Sequence, residues 1–176
     1  MRALVIFESM FGDTRTVAEQ VAAGIGATWG PLDEVSLVEV GSAPTALTAD
    51  WDLLVLGAPT HAFGLSRPTT RADAATKTDG DLVSTGIGVR EWLAAASLPK
   101  GLSATAFDTR MDHPKALVKL DHAAHTMQKA LRKLGARIVA PAEAFIVADT
   151  TGPLAPGESD RARAWGSAVA QAAAGS

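Results

Sequence analysis

The chain has 176 residues, 47% of them apolar, enough for one domain with a sizeable core. Sixteen lysines and arginines against nineteen acids leave a formal net charge of -3, which gives neither the basic field that selects nucleic acid or an anionic membrane nor the strongly acidic surface of a shuttle between basic partners. With no cysteine in the chain, disulfides, thiol catalysis and Cys-ligated metals are excluded; no apolar run has signal or membrane-spanning length, and a cytoplasmic location is expected.

The first element is the apolar run ALVIF (3–7), read as a buried strand. The stretch SMFGDT (9–14) follows it and leads into a helix over 14–27, where Val17, Val21 and Ile25 recur at i, i+4, i+8. EVSLVEV (34–40) alternates and suits an edge strand, whereas DLLVLGA (52–58) and LSATAFD (102–108) are nearly continuous, as strands buried on both faces are. Residues 41–51 are too few for a full crossover helix and are expected to be irregular. From Pro59 to Gly88 about thirty residues show little apolar periodicity, and ordered links of that length usually carry function. Helices are expected over 89–96, over 115–134 on the stripe Leu117, Leu120, Ala124, Met127, Leu131 and Leu134 with Gly135 as its stop, and over 158–173. EAFIVAD (143–149) is the fifth strand. Strands alternating with helices predict a parallel sheet covered on both faces, an α/β three-layer sandwich with strand order 2-1-3-4-5, in one domain over residues 1–176.

The SMFGDT stretch lies between a buried strand and a helix start. Unpaired N–H groups and the helix dipole make that position a cradle for an anion, phosphate above all, without a basic side chain. Ser9 and Thr14 would add hydroxyls, and Gly12 would let the backbone approach closely or take a positive φ. Asp13 or Thr14 acting simply as a helix cap is the competing reading. Other phosphate loops are absent: there is no G-x-x-x-x-G-K-[ST], GIGVRE (86–91) lacks a third glycine, and GIGATWG (24–30) ends a helix. There is no G-x-S-x-G elbow either. Pro59 and Thr60 stand where a response-regulator receiver needs its phosphoacceptor aspartate.

The pattern strand, S-x-x-G-x-T, helix at the start of a five-stranded α/β chain resembles the flavodoxin family, whose first loop, T/S-x-T-G-x-T, holds the phosphate of FMN. Ser9, Gly12 and Thr14 match, while Phe11 replaces the middle threonine. ESMFG is also similar to the first loop of the tryptophan-repressor-binding-protein type of NAD(P)H:quinone oxidoreductases. PTHAFG (59–64) resembles their second loop, P-T-x-F-G, with one residue more. The resemblance implies an FMN site built from three loops: Ser9, Met10, Phe11, Gly12, Asp13 and Thr14 at the phosphate; Pro59, Thr60, His61, Ala62, Phe63 and Gly64 over the ring; and Asp108, Thr109, Arg110 and Met111 at the ring edge. His61 or Phe63 would pack on a ring face, or else Phe63 anchors the core and His61 is an exposed loop residue. Arg110 would offset charge on reduced flavin, or is a surface arginine. The chain has no tyrosine, so the tyrosine stack of the family is impossible, and Trp92 is expected in the core.

The function so implied is electron transfer by an FMN-binding flavodoxin-like protein, with a redox partner protein or small-molecule acceptor and neither nucleic acid nor membrane. The alternatives are an NAD(P)H:quinone oxidoreductase and a flavin-free binding or regulatory module on the same fold. Arg67 and Arg71 would reach a nicotinamide phosphate or an acidic partner, or are solvated. His122 and His125 fall opposite the apolar stripe of their helix and point to solvent, so no metal is expected.

Overall fold

The computed structural model describes residues 1–61, 64–78, 80–112 and 123–175. The strands are β1 (Arg2–Phe7), β2 (Glu34–Glu39), β3 (Leu53–Pro59), β4 (Ser103–Met111), β5 (Arg137–Ile138) and β6 (Glu143–Val147). The helices are α1 (Asp13–Trp29), α2 (Pro68–Ala75), α3 (Val89–Ala95), α4 (Ala123–Lys133) and α5 (Glu158–Ala174). All sheet pairings are parallel, in the order β2-β1-β3-β4, with β5 and β6 both beside β4. The predicted fold and strand order are therefore observed. Among the described residues no helix is long and apolar enough to cross a membrane.

The fifth sheet position departs from expectation because two segments fill it. β5 pairs with the start of β4 and β6 with its end. Pro141 lies in the gap, and with no N–H to give it cannot continue a ladder. The carbonyl of Ala140 is satisfied sideways instead, by Thr105 Oγ1 at 3.1 Å and by Gln128 Nε2 at 2.8 Å. That interaction explains why the polar side chain of Gln128 is buried.

Two apolar layers flank the sheet. Alternate side chains of β1 and β3 point to opposite faces, so Val5 and Val55 join α1 and α5 (Val17, Val21, Ile25, Val169) while Ile6 and Leu56 join α3 and α4 (Trp92, Met127, Leu131). Trp92 is fully buried and its indole N–H donates to Pro44 O at 3.1 Å, the expected core role. Phe107, Phe145 and Trp165 meet edge-to-face with centroids 5.8 to 6.1 Å apart, a favoured aromatic geometry. α2 falls inside the 59–88 link, which shows little apolar periodicity. It buries only Ala74, so it leaves no apolar stripe in the sequence. Pro68 opens it, and Arg67 N donates to Thr70 Oγ1 at 2.9 Å.

α1 and α5 are in backbone contact through glycines. A Cβ added to Gly24 falls on the Arg163 carbonyl, and one added to Gly166 falls on the Val21 carbonyl. In an exposed helix Gly→Ala stabilises by about 1 kcal/mol. Here Gly166→Ala is predicted to destabilise by about 1–3 kcal/mol through overpacking. A urea denaturation series checks this: the midpoint should fall at constant slope, and an unchanged or raised midpoint would refute the close packing.

Candidate functional site

The chain leaves β1 at Glu8, whose N–H still donates to Gly57 O at 2.9 Å. It then turns through Ser9–Gly12 into α1. Gly12 sits at φ 108, a left-handed conformation that a side chain would strain. Ser9 Oγ accepts the Gly12 N–H at 3.2 Å and the Arg15 N–H at 3.3 Å. A hydroxyl that accepts twice keeps its own proton to donate. Thr14 Oγ1 meets Thr109 Oγ1 at 2.7 Å and ties the start of α1 to the end of β4.

A second segment, invisible as a motif, fixes this loop. Val83 N donates to Met10 O at 3.0 Å and Ser84 N to Ser9 O at 2.8 Å. Ser84 Oγ accepts the Ser9 N–H at 3.0 Å and donates to Glu39 Oε1 at 2.6 Å. Ser84 is buried and joins the end of β2 to the loop. In sequence it is one polar residue of a loop, with no periodicity to single it out.

The second loop continues β3. Thr60 N donates to Thr109 O at 2.9 Å, while the buried Thr60 Oγ1 has no hydrogen-bond partner. His61 and Gly64 exchange both backbone bonds, at 2.8 and 3.0 Å; Ala62 and Phe63 lie outside the described residues. The third loop begins three residues later than expected, because β4 runs on to Met111. Asp108 is buried, with Oδ2 accepting the Ala124 N–H at 3.0 Å and Oδ1 lying 3.9 Å from Arg110 Nε.

The three loops converge on one cavity of about 340 Å³, within the range of small-ligand sites. Ser9, Met10, Phe11, Asp13 and Thr14 line it from the first loop, Pro59, Thr60 and His61 from the second, and Thr109, Arg110 and Met111 from the last residues of β4 that lead into the third. Gly12, Gly64 and Asp108 do not line it, and Asp108 is turned toward α4 instead. Sequence reading missed the remaining wall: Thr70, Asp73 and Ala74 of α2 with Lys77, Val147 at the end of β6, and Thr150 beyond it. The long 59–88 link was the one signal that could have found α2.

The cavity holds charge of both signs. Burial, with Lys77 and Arg71 nearby, holds the His61 imidazolium below the usual histidine range, favouring the neutral ring. Burial pushes the Asp13 carboxyl up, against the stabilising Leu154 N–H. A Cβ at Gly152 would fall 2.5 Å from Asp13 Oδ2, so the turn closes directly on that carboxylate. Lys77 Nζ lies 3.1 Å from Asp73 Oδ2. Among the described residues no three His, Asp or Glu side chains are placed to hold a metal. His125 is exposed as expected, and His113, Asp121 and His122 lie outside the described residues.

Solved structures of similar fold are 14–19% identical in sequence. Flavodoxin 1 from Bacillus cereus aligns over 97% of this chain and 98% of its own, with 19% identity and a TM-score of 0.68. A flavodoxin from the domain Archaea aligns over 99% of both chains, with 14% identity and a TM-score of 0.65. A flavodoxin, WrbA-like protein from Agrobacterium tumefaciens aligns over 99% of this chain and 98% of its own, with 19% identity and a TM-score of 0.58. Neither a family model nor a curated protein matches the chain. The architecture is thus that of an open α/β protein with its cavity at the carboxyl ends of the strands. More narrowly, the fold is flavodoxin-like.

Beside the first loop a carboxyl is buried completely. Glu8 has no exposed surface; its Oε2 accepts the Val89 N–H at 2.8 Å and its Oε1 has no partner. Arg71 Nη1 bridges Ser66 Oγ at 2.9 Å and Glu91 Oε2 at 3.1 Å, and Glu91 Oε2 also accepts the Gly88 N–H at 2.8 Å. Arg71 is therefore engaged within the fold and is not a solvated loop arginine. A Cβ at Gly88 would fall 2.6 to 2.7 Å from Arg71 Nη1, Ser66 Oγ and Glu8 Oε2, so any other residue there would displace members of this cluster. Burial pushes the Glu8 carboxyl up from its ordinary 4.5, outweighing the Ser66 and Val89 hydrogen bonds and the Arg71 charge. The folded protein thus holds the Glu8 proton more tightly than the unfolded chain. Its stabilising effect is complete below pH about 4.5 and is lost as pH rises through the folded value. Glu8→Gln removes this dependence, so the variant should gain stability relative to the parent as pH rises from about 4 to 8. Denaturation at several pH values reads the difference directly, and a gap independent of pH would sink the assignment.

Proposed function

We propose that this chain binds FMN in the three-loop cavity and works in electron transfer, as a single domain in the cytoplasm. The observation that carries the reading is the convergence of loops from β1, β3 and β4 on one cavity holding a helix start, the free proton of Ser9 and the orphaned Thr60 hydroxyl. A buried hydroxyl without a partner costs about 1–3 kcal/mol, a cost that a polar ligand removes. The residues present fit FMN. Backbone N–H groups of the first loop with Ser9 would hold the phosphate, Thr60 would bond the ring system, His61 would pack against it, and Arg110 would offset negative charge.

The flavin itself supplies the redox chemistry when bound. The chain's own part is to bind, orient and shield it. No side chain is assigned as acid or base, and the neutral form favoured for His61 suits contact with an apolar ring. The quinone oxidoreductase reading shares this site and differs only in the acceptor.

A flavin-free module on the same fold is the second reading, favoured by one feature. Ser9 Oγ already occupies two amides of the cradle, and the Asp13 carboxylate lines the cavity where an anion would sit. Titration of the purified protein with FMN separates the two. Flavin fluorescence should be quenched saturably and the flavin spectrum should shift on binding; unquenched FMN would overturn the first reading.

Two variants sharpen the test. Gly12→Val must strain a left-handed backbone and should weaken FMN about tenfold or more. Thr60→Val removes the orphaned hydroxyl at nearly constant volume. It should stabilise the ligand-free protein by about 1 kcal/mol while weakening FMN about tenfold. Loss of stability together with unchanged FMN affinity would show that Thr60 has another role.

A further inference from the structure

The charge of the chain is unevenly placed. Between Ala123 and Ala142 there are four lysines and arginines and no acid, and between Trp92 and Phe107 one lysine and no acid. The structure brings these cations to one surface. On α4, His125, Lys129, Arg132 and Lys133 follow i, i+4, i+7, i+8 and are all exposed, while Ala124, Met127, Gln128 and Leu131 face the core. Such spacing places the four on a single helix face. Gly101 N donates to Gly135 O at 2.8 Å, which sets the exposed Lys100 beside the end of α4, and exposed Arg137 follows in β5. Among the described residues no carboxylate lies within ion-pair distance of Lys100, Lys129, Arg132, Lys133 or Arg137. Arg2, Arg15, Arg71, Lys77, Arg110 and Arg161 each have an acidic neighbour; Arg67, Arg90 and Arg163 have none among the described residues but lie on other elements, at the start of α2, in α3 and in α5.

The helix dipole accounts for Arg132 and Lys133, which lie in the last turn. It does not account for Lys129 one turn earlier, or for Lys100 and Arg137 outside the helix. Five cations on one surface, without acidic partners among the described residues, form a local basic patch on a chain of net charge -3. The position is also continuous with the site. Asp108 receives the Ala124 N–H at 3.0 Å, directly after which Thr109, Arg110 and Met111 line the cavity. From His125 to Lys133 the stripe then runs about 12 Å along the axis.

We propose that the exposed face of α4, with Lys100 and Arg137, is the docking surface for an acidic face of a redox partner protein. The identity of the partner as a redox protein rests on the electron-transfer reading above; the surface itself does not. Charge complementarity selects the partner. A compact acidic protein meets the basic face alone, whereas a long duplex or an extended anionic membrane also meets the acidic remainder of the molecule and is repelled.

The test needs no flavin. The chain is titrated with a short poly-L-glutamate peptide while backbone amide resonances are followed by NMR. Shifts should concentrate on 123–137 and Lys100 and shrink as salt rises to physiological strength. The combined change Lys129→Gln, Arg132→Gln and Lys133→Gln keeps good helix formers and should weaken the peptide about tenfold. Charge reversal at the same three positions should abolish binding. A short DNA duplex and phosphatidylserine vesicles, used as competitors, should bind more weakly than the peptide. No shifts, shifts centred elsewhere, unchanged affinity of the folded variants, or tighter binding to duplex or vesicle would each overturn the proposal. Failure of FMN to bind would leave the peptide result standing, and failure of the peptide would leave the FMN titration standing.

Discussion

The structure depends on one constraint, the placement of β1 between β2 and β3 in a wholly parallel sheet. Parallel neighbours must be joined by crossovers, and right-handed crossovers to opposite sides of one strand leave by opposite faces. Hence α1 covers one face with α5, and α3 covers the other with α4. Where the two directions part, the carboxyl ends of β1 and β3 stand open with no chain between them. Every feature of the cavity follows from that gap. The first loop must begin there, the second must end beside it, and β4 brings the third alongside.

Within the gap two kinds of electrostatics are kept apart over a single residue. Ser9 turns its oxygen to the amides of α1, where the helix start offers a diffuse positive potential. Glu8, one residue earlier, turns the other way into a buried cluster with Ser66, Arg71 and Glu91. The alternation of the strand makes this separation possible, because successive side chains at its end point to opposite faces. Glu91 shows how the cluster balances. Burial raises its carboxyl, but the Gly88 N–H and Arg71 outweigh that and hold it below the usual range. Glu8, deeper and with one oxygen unpartnered, is left on the other side of the balance. Arg71 thereby links α2, a wall of the cavity with little apolar packing of its own, to the end of the strand that carries the first loop.

What the sequence disclosed follows from what periodicity measures. β1, β3 and β4 are buried on both faces and read as continuous apolar runs; β2, at the edge, alternates and reads as such. The first loop was legible because a glycine between hydroxyls at a strand-to-helix junction is a local pattern. α2 was hidden because a helix that buries a single alanine has no stripe. β5 was hidden because two residues carry no period, and only Pro141 marks why the strand position is split. Ser84 and Glu8 were hidden for a further reason: their partners are 75 and 81 residues away, and local sequence says nothing about such pairs. Asp108 shows the opposite error. It sits next to true cavity residues in sequence, yet strand alternation turns it to cap α4.

The lining of the cavity has a consequence for how a flat ring would be held. No tyrosine exists in the chain, and of the described lining residues only Phe11 and His61 are aromatic. Hydroxyl residues line it instead from several elements: Ser9 and Thr14 at the start of α1, Thr60 and Thr109 at the ends of β3 and β4, Thr70 in α2 and Thr150 beyond β6. Stacking energy rests on area and geometry, whereas a hydroxyl contributes only when it finds a partner and costs when it does not. A site of this composition therefore discriminates by the pattern of polar atoms on its ligand more than by its flat faces. The unpartnered oxygen of Thr60 lies where two of the three loops meet, since its own N–H is already given to Thr109. That backbone bond holds the Thr60 main chain at the cavity, so only the side-chain torsion and the hydroxyl proton are left for a ligand to order.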